Sequence, residues 1–236
     1  MRARDHVCPK FIGETGSVVI YVVDSRNRGN YRRQLEEMHR IRHRIYVEGR
    51  GWKALRKSDG REVDEFDTDD AVYLLGLSPD GSVTAGTRLV PTNKPHLMRN
   101  VFPHLATKGA IPRSDSIYEW TRYFLANEPK DRRARRRASG EILCAMFEYG
   151  LEAGLTHFSL VCDTFFLPMF REARWRITEL GDPTRYEEGV CIAVLFEVSE
   201  RTLNSTRDVR GVSGPVLAFS TRPPPFEESQ LDHIAA

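Results

Sequence analysis

The sequence predicts an α/β fold: a mixed sheet with helices on its faces. Three observations carry this. "AVYLLGLSPDGSVTAGTRLV" holds two alternating apolar runs around Pro79-Asp80-Gly81, a hairpin signature. "THFSLVCD" and "VCIAVLFEVS" are short, nearly continuous apolar runs of the kind buried within a sheet. Between these segments the apolar spacing switches to intervals of three and four, the period of amphipathic helices.

In chain order, residues 1–16 carry no apolar periodicity and read as a disordered extension. "SVVIYVVD", Ser17 to Asp24, alternates as a strand. Tyr31, Leu35, Met38, Ile41 and Ile45 predict a helix over Tyr31 to Tyr46, on which Arg42 and Tyr46 share an edge. The acidic loop "GREVDEFDTDD" and the hairpin follow. After a turn-rich span comes "SIYEWTRYFLA", an aromatic and β-branched strand. Ile142, Leu143, Met146, Phe147 and Leu151 form one apolar face and predict a helix from Glu141 to Ala153. "THFSLVCD" is then a strand, Phe165 to Arg174 a helical turn, and "VCIAVLFEVS" the closing strand. The order is β-α-β-β-β-α-β-α-β. One domain over 17–202 is expected, with 203–236 a polar, Pro-rich tail.

Composition narrows the functional classes. A chain of 236 residues with 40% hydrophobic and 29% charged residues is an ordinary soluble protein with ample core. Its net charge of +2 gives no reason to expect nucleic acid. No apolar run is long enough to span a bilayer and the first residues lack a signal-peptide segment, so a cytoplasmic location is the default. The four cysteines are widely spaced, without a C-x-x-C pair or a histidine at zinc-ligand spacing. Asp64, Asp67 and Asp70 lack the glycine turn and closing glutamate of a calcium loop, so no metal is expected.

The candidate chemistry gathers around the acidic loop. Asp64 and Asp67 flank Phe66, while Arg42, Tyr46 and Trp52 approach from the preceding helix and its exit. Two carboxylates, an arginine and aromatic rings suit a ligand that carries both a cation and a carboxylate. A solvated, helix-capping loop fits the same composition.

The positions down the chain resemble the acyl-homoserine-lactone synthases, the autoinducer synthases of bacterial quorum sensing. That family has an Arg, an aromatic four later, a Trp six later, then E-x-D-x-F/Y-D. Here these are Arg42, Tyr46, Trp52, and Glu62, Asp64, Phe66 and Asp67. The series continues with Arg88 in "GTRLV", Phe102 in "NVFPH", and Glu119 with Arg122 in "EWTRYF", and spans about Val18 to Ser199.

The resemblance implies a GNAT-like three-layer α/β/α fold with a central mixed, mostly antiparallel twisted sheet. It implies S-adenosylmethionine and an acyl thioester, acyl-CoA or acyl-carrier protein, as substrates, with no permanently bound cofactor and no nucleic-acid or membrane partner. Glu119 is then the first candidate for the base that frees the amine and Asp64 the second, with Arg42, Tyr46, Trp52, Asp67, Arg88, Phe102 and Arg122 binding substrate.

Two departures stand out. Tyr46 replaces the usual Phe. Trp120 replaces a small residue, and its indole would intrude on the acyl pocket and favour a short, branched or aryl chain.

A regular strand points residues three apart to opposite faces, so a pocket shared by Glu119 and Arg122 requires a β-bulge near Trp120 or Thr121. "KDRRARRRASGE" gathers cations where Ser139-Gly140 would open a helix, and Arg137-Ala-Ser-Gly140 resembles part of the acetyltransferase pyrophosphate loop. Arg136, Arg137 and Gly140 are therefore expected to hold the donor's phosphates or a carrier protein. The same fold would also serve an N-acyltransferase acting on another amine. A nucleic-acid or protein-binding module would leave Asp64, Asp67, Glu119 and Trp52 without a role.

Overall fold

The computed structural model describes residues 19–187, 189–219 and 223. The expected N-terminal extension, Cys8 and most of the Pro-rich segment lie outside them. Strand β1 (Val19–Val23) leads into helix α1 (Arg32–Arg42), which continues as a π-helix over His43–Gly49. The hairpin is β2 (Val72–Leu77) and β3 (Val83–Pro91). The turn-rich span contains a single helical turn, α2 (Leu97–Asn100), before β4 (Ile117–Leu125).

Helix α3 (Arg132–Glu152) starts nine residues earlier than expected. The reason is local: Asp131 caps it, accepting from the Ala134 N–H at 2.7 Å, and Arg and Ala are good helix formers. The basic run is thus helical, and Ser139-Gly140 opens nothing.

After β5 (His157–Asp163) and α4 (Leu167–Glu172) come two short strands not expected, β6 (Ile177–Glu179) and β7 (Thr184–Tyr186), then β8 (Gly189–Glu197). The fold does not close at β8. Ser199 caps α5 (Glu200–Arg210), Gly211 ends it in the left-handed conformation, and β9 (Leu217–Ala218) pairs parallel to β1. The expected domain end at 202 therefore falls inside a helix. Thr202, Leu203, Thr206 and Arg210 form its buried stripe; with one aliphatic residue among them, it does not stand out from a polar tail.

The strands form one sheet in the order β6-β8-β5-β4-β3-β2-β1-β9, with β7 on β8. Among the described residues only β4–β5 and β1–β9 are parallel, giving the mixed, mostly antiparallel sheet. On one face α3 buries Ile142, Met146 and Phe147 against Val22, Leu74, Leu89, Trp120 and Phe196. On the other, α1 buries Met38 and Ile41 against Val23, Tyr73, Leu75, Val90 and Phe124. Helix, sheet and helix make the three layers.

Two irregularities of this sheet create the site. β4 and β5 pair only through Ile117↔His157, Tyr118↔Phe158 and Glu119↔Ser159, although both strands continue. Beyond Glu119 they splay apart. β4 also carries a bulge: Gly86 faces Phe124 and Arg88 faces Thr121, so two residues of β4 stand opposite Thr87 alone. The extra residue is Arg122, at φ 55°, a conformation that costs a non-glycine residue on the order of 1 kcal/mol.

Candidate active site

A cavity of about 490 Å³ opens where β4 and β5 separate. Trp120 to Tyr123 form one wall and Leu160 to Asp163 the other, with Tyr46, Trp52, Asp64 and Phe66 on the α1 side and Leu97 and Phe102 behind α2. Tyr46 and Trp52 stack with ring centroids 5.0 Å apart, and the Arg122 guanidinium lies 5.6 Å from the Tyr46 centroid. The π-helix assembles this group. It lengthens each turn after Arg42, which re-aims Tyr46 toward the cavity, and its hydroxyl donates to the Tyr123 carbonyl at 2.5 Å.

Behind the wall lies a closed ionic network. Arg42, wholly buried, donates to Glu62 at 2.5 Å and to both oxygens of Asp67 at 2.7 and 2.8 Å. Arg88, also wholly buried, is bidentate on Asp64 at 2.5 and 2.9 Å and reaches Asp67 at 2.8 Å. Arg122 joins Glu62 at 3.0 Å to Asp64 at 2.8 Å. Three guanidiniums thus neutralise three carboxylates. The bulge makes the closure possible, because it turns Arg122 to the face that already holds Arg88 and Glu119. It sits at Arg122, just past the expected position.

This arrangement corrects the sequence-level picture of the acidic loop. Of its carboxylates, Asp64 and Glu65 reach the cavity, whereas Glu62 and Asp67 are spent on arginines. Asp64 feels burial, which raises its pKa, and the stronger combined pull of Arg88 and Arg122, which leaves it below the usual carboxylate range. It stays ionised at the cavity wall, paired with Arg88 and Arg122.

Glu119 is wholly buried and does not line the cavity. Its oxygens accept from the backbone N–H groups of Leu97 at 2.7 Å and Met98 at 2.6 Å, the first turn of α2. Leu97 is itself part of the wall, so the carboxyl stands one residue behind the cavity. Burial pushes its pKa up to about 7, against the opposing pull of those N–H groups and of Arg88 and Arg122.

The structure brings Tyr46, Trp52, Asp64, Phe102, Trp120 and Arg122 together around one space. It places Arg42, Asp67, Arg88 and Glu119 in the layer behind. Arg136, Arg137 and Gly140 lie elsewhere: Arg136 bonds Val209 and Glu172, Arg137 bonds Glu141, and Gly140 is buried in mid-helix against Arg210. The expected phosphate loop at Ser139-Gly140 is absent because the backbone N–H groups there are engaged inside α3.

Sequence reading missed the β5 wall and Arg50. Arg50 pairs with Asp163 at 3.3 Å across the mouth and lies 5.7 Å from the Trp52 centroid. Their only sequence signal was position, at the ends of an apolar strand and a helix. No cluster of three or more His, Cys, Asp or Glu side chains among the described residues suits a metal, and no described helix is long and apolar enough to cross a membrane.

The sequence profile of the autoinducer synthase family matches residues 27–205. The chain belongs to that family. It is an acyl-homoserine-lactone synthase, a transferase. It is 36% identical over 218 residues to the isovaleryl-homoserine lactone synthase of Bradyrhizobium diazoefficiens, covering 92% of this chain and 97% of that one. An acyl-homoserine-lactone synthase of Rhizobium etli is 28% identical over 177 residues, 75% of this chain and 82% of that one.

Among solved structures, the CoA-dependent acyl-homoserine lactone synthase BjaI with SAM and isopentyl-CoA superposes with a TM-score of 0.80 at 36% identity, over 86% of this chain and 93% of that one. MesI, also described as CoA-dependent, gives 0.77 at 38% identity over 85% and 100%. A Lactobacillus plantarum protein assigned as an N-acetyltransferase shares the fold with a TM-score of 0.51 at 16% identity, over 77% of this chain and 99% of that one. The three-layer sheet is thus the GNAT-like architecture, and this autoinducer synthase carries its cavity at the splay of that sheet.

Proposed function

We propose that the synthase joins S-adenosylmethionine to a short branched or aryl acyl group delivered by coenzyme A, releasing methylthioadenosine, and that it acts in the cytoplasm. One observation carries this: the cavity has two unlike sides that meet at the splay. On the α1 side, Asp64 supplies negative charge and Arg122 positive charge beside stacked rings, which suits a sulfonium nucleoside bearing an ammonium and a carboxylate. On the α3 side, Trp120, Leu160, Phe166 and Phe170 make an apolar end. Between them, the facing backbone edges of β4 and β5 leave room for an extended thioester arm. The relatives described as CoA-dependent, and the isovaleryl specificity of one of them, favour coenzyme A over an acyl-carrier protein.

In the first step the amine nitrogen attacks the thioester carbon, forming the C–N bond as the C–S bond breaks and the thiol departs. An ammonium has no lone pair, so a proton must leave first. Glu119 takes it, through water because the carboxyl stands behind Leu97. Its pKa of about 7 suits that task, whereas Asp64, held ionised by arginines, is the weaker base. In the second step a carboxylate oxygen attacks the γ-carbon of the methionine portion, the bond from that carbon to sulfur breaks, and neutral methylthioadenosine leaves. Tyr46, Trp52 and Phe102 hold the rings in place while Arg42, Asp67 and Arg88 keep Asp64 and Arg122 oriented.

Methylthioadenosine release from S-adenosylmethionine, measured with a panel of acyl-CoA thioesters and the matching acyl-carrier proteins, tests the reading. Release with a short branched or aryl acyl-CoA is expected. Thiol release with other amines and no methylthioadenosine would make the chain a general N-acyltransferase.

Trp120 limits acyl length in this reading. It is 3% exposed, its Nε1 donates to Thr87 at 2.6 Å, and its ring meets Phe196 edge-on at 5.9 Å. Trp120→Ala is expected to shift preference toward longer chains by about tenfold in kcat/KM, the scale of one or two methylenes in an apolar pocket. An unchanged preference in a donor competition assay would exclude this role.

A further inference from the structure

The last residue of α5 is the least satisfied charge in the described chain. Arg210 is 8% exposed, yet its Nε and Nη2 have no hydrogen-bond partner among the described residues. Burial, and Arg136 beside it, push its pKa below the ordinary arginine value. An ionised guanidinium in this state is strongly unfavourable unless an anion reaches it.

Nearby carboxylates are already committed. Glu172 accepts from Arg136 at 2.8 Å and also feels Arg210 and Arg132. Glu141 accepts from Arg137 at 3.2 Å, and Glu148 accepts from Arg207 at 2.7 Å. One carboxylate therefore faces three guanidiniums.

Gly140 sets this geometry. A Cβ at that position would collide with the Cβ of Arg210, so glycine lets α5 lay the arginine stem across α3. The glycine that looked like part of a phosphate loop instead seats a cation. The site adjoins the cavity, since Tyr123, on the cavity wall, is near enough to Arg210 to feel its charge.

We propose that Arg210, Arg136 and Arg132 form a phosphate-binding site at the junction of α3, α4 and α5. A phosphate dianion matches an excess of two positive charges and can accept from several guanidiniums at once. The phosphate is either one carried by the coenzyme A donor, which rests on the donor reading above, or inorganic phosphate, which does not.

The test uses the full chain, its Arg210→Gln variant and Arg210→Lys as the conservative control. Thermal unfolding is followed in inorganic phosphate against chloride at matched ionic strength. Michaelis constants are measured for an acyl-CoA and for the same acyl group on pantetheine, which lacks the phosphates. Phosphate is expected to raise the wild-type midpoint, to leave that of Arg210→Gln unmoved, and to act in part on Arg210→Lys.

A donor-borne phosphate predicts that Arg210→Gln raises KM for the acyl-CoA about tenfold, the loss of one charge-assisted contact, and leaves acyl-pantetheine unchanged. Unchanged values for both donors alongside the midpoint shift would identify inorganic phosphate as the occupant and support the site. Equal phosphate responses in wild type and variant, or none in wild type, would overturn it. If Arg210→Gln does not fold, Arg136→Gln is read by the same criteria. An Arg210-dependent phosphate shift without methylthioadenosine release from any acyl-CoA would remove the donor reading and leave this site standing.

Discussion

Replacing Asp67 by Asn is expected to destabilise the fold by about 3–5 kcal/mol, the range for breaking a buried ion pair from one side. The Asp67 side chain is 1% exposed, and its two oxygens serve Arg42 twice, Arg88, the Tyr73 hydroxyl at 2.9 Å and the Asp64 N–H at 2.8 Å. An amide offers one acceptor in place of two and aims an NH2 at a guanidinium. Arg42 and Arg88, both wholly buried, would keep Glu62 and Asp64 but share them with Arg122, leaving three guanidiniums against two carboxylates. Activity should fall as well, because Arg88 is the bidentate partner that orients Asp64 in the cavity.

The pH dependence gives the sign. Burial alone would raise the Asp67 pKa, but Arg88 and Arg42 overcome it and hold the carboxyl far below the usual range. A depressed folded-state pKa confers stability that is complete above the unfolded value of about 4 and is lost as pH falls toward the folded one. Urea unfolding free energies of wild type and Asp67→Asn should therefore differ most near neutrality and converge below about pH 4. A gap of the same size at pH 7 and pH 3 would show that the network draws nothing from this ionisation.

Glu119→Gln is expected to lower kcat/KM by about 10²–10⁴-fold, the contribution of a positioned base. It should also remove the rise in rate through about pH 7 that an ionising Glu119 imposes. The direction follows from the role: the carboxylate accepts the proton, so the active form is the one above its pKa. Position complicates the variant, since Gln keeps one acceptor for Leu97 and Met98 and loses the other. The pH profile separates the two effects. A slow variant that keeps the limb near pH 7 would assign Glu119 to holding α2 and the Leu97 wall, and the proton would have to leave by another route.

Much of this molecule was legible in its residues. Local signals carried β2, β3, β4, β5, β8 and the start of α1, because alternation and the three-four period are imposed by burial on one face. Given the pocket that the resemblance implies for Glu119 and Arg122, strand geometry required a bulge near Trp120 or Thr121, and the structure carries one at Arg122, at φ 55°. Signals failed where burial falls on polar side chains. α5 buries Thr202, Thr206 and Arg210, and such a stripe does not register as amphipathic. The two extra turns of α3 were hidden because Asp131 is a cap signal followed by arginines, which read as readily as a solvated charge run.

The sequence by itself determined which residue types are present for the chemistry: the carboxylates, arginines and rings at their family spacing, and an α/β order of elements. Only the tertiary structure decided which of them line the cavity. Three arginines and three carboxylates brought near one another at low dielectric pair with each other, and the packing leaves Arg42, Asp67 and Arg88 behind the cavity wall and Asp64 and Arg122 on it. The same contest at the other side of the sheet left Nε and Nη2 of Arg210 without a hydrogen-bond partner among the described residues, since the carboxylates around it were already taken. Pairing of this kind depends on distances across the sheet and between helices, which no spacing along the chain encodes.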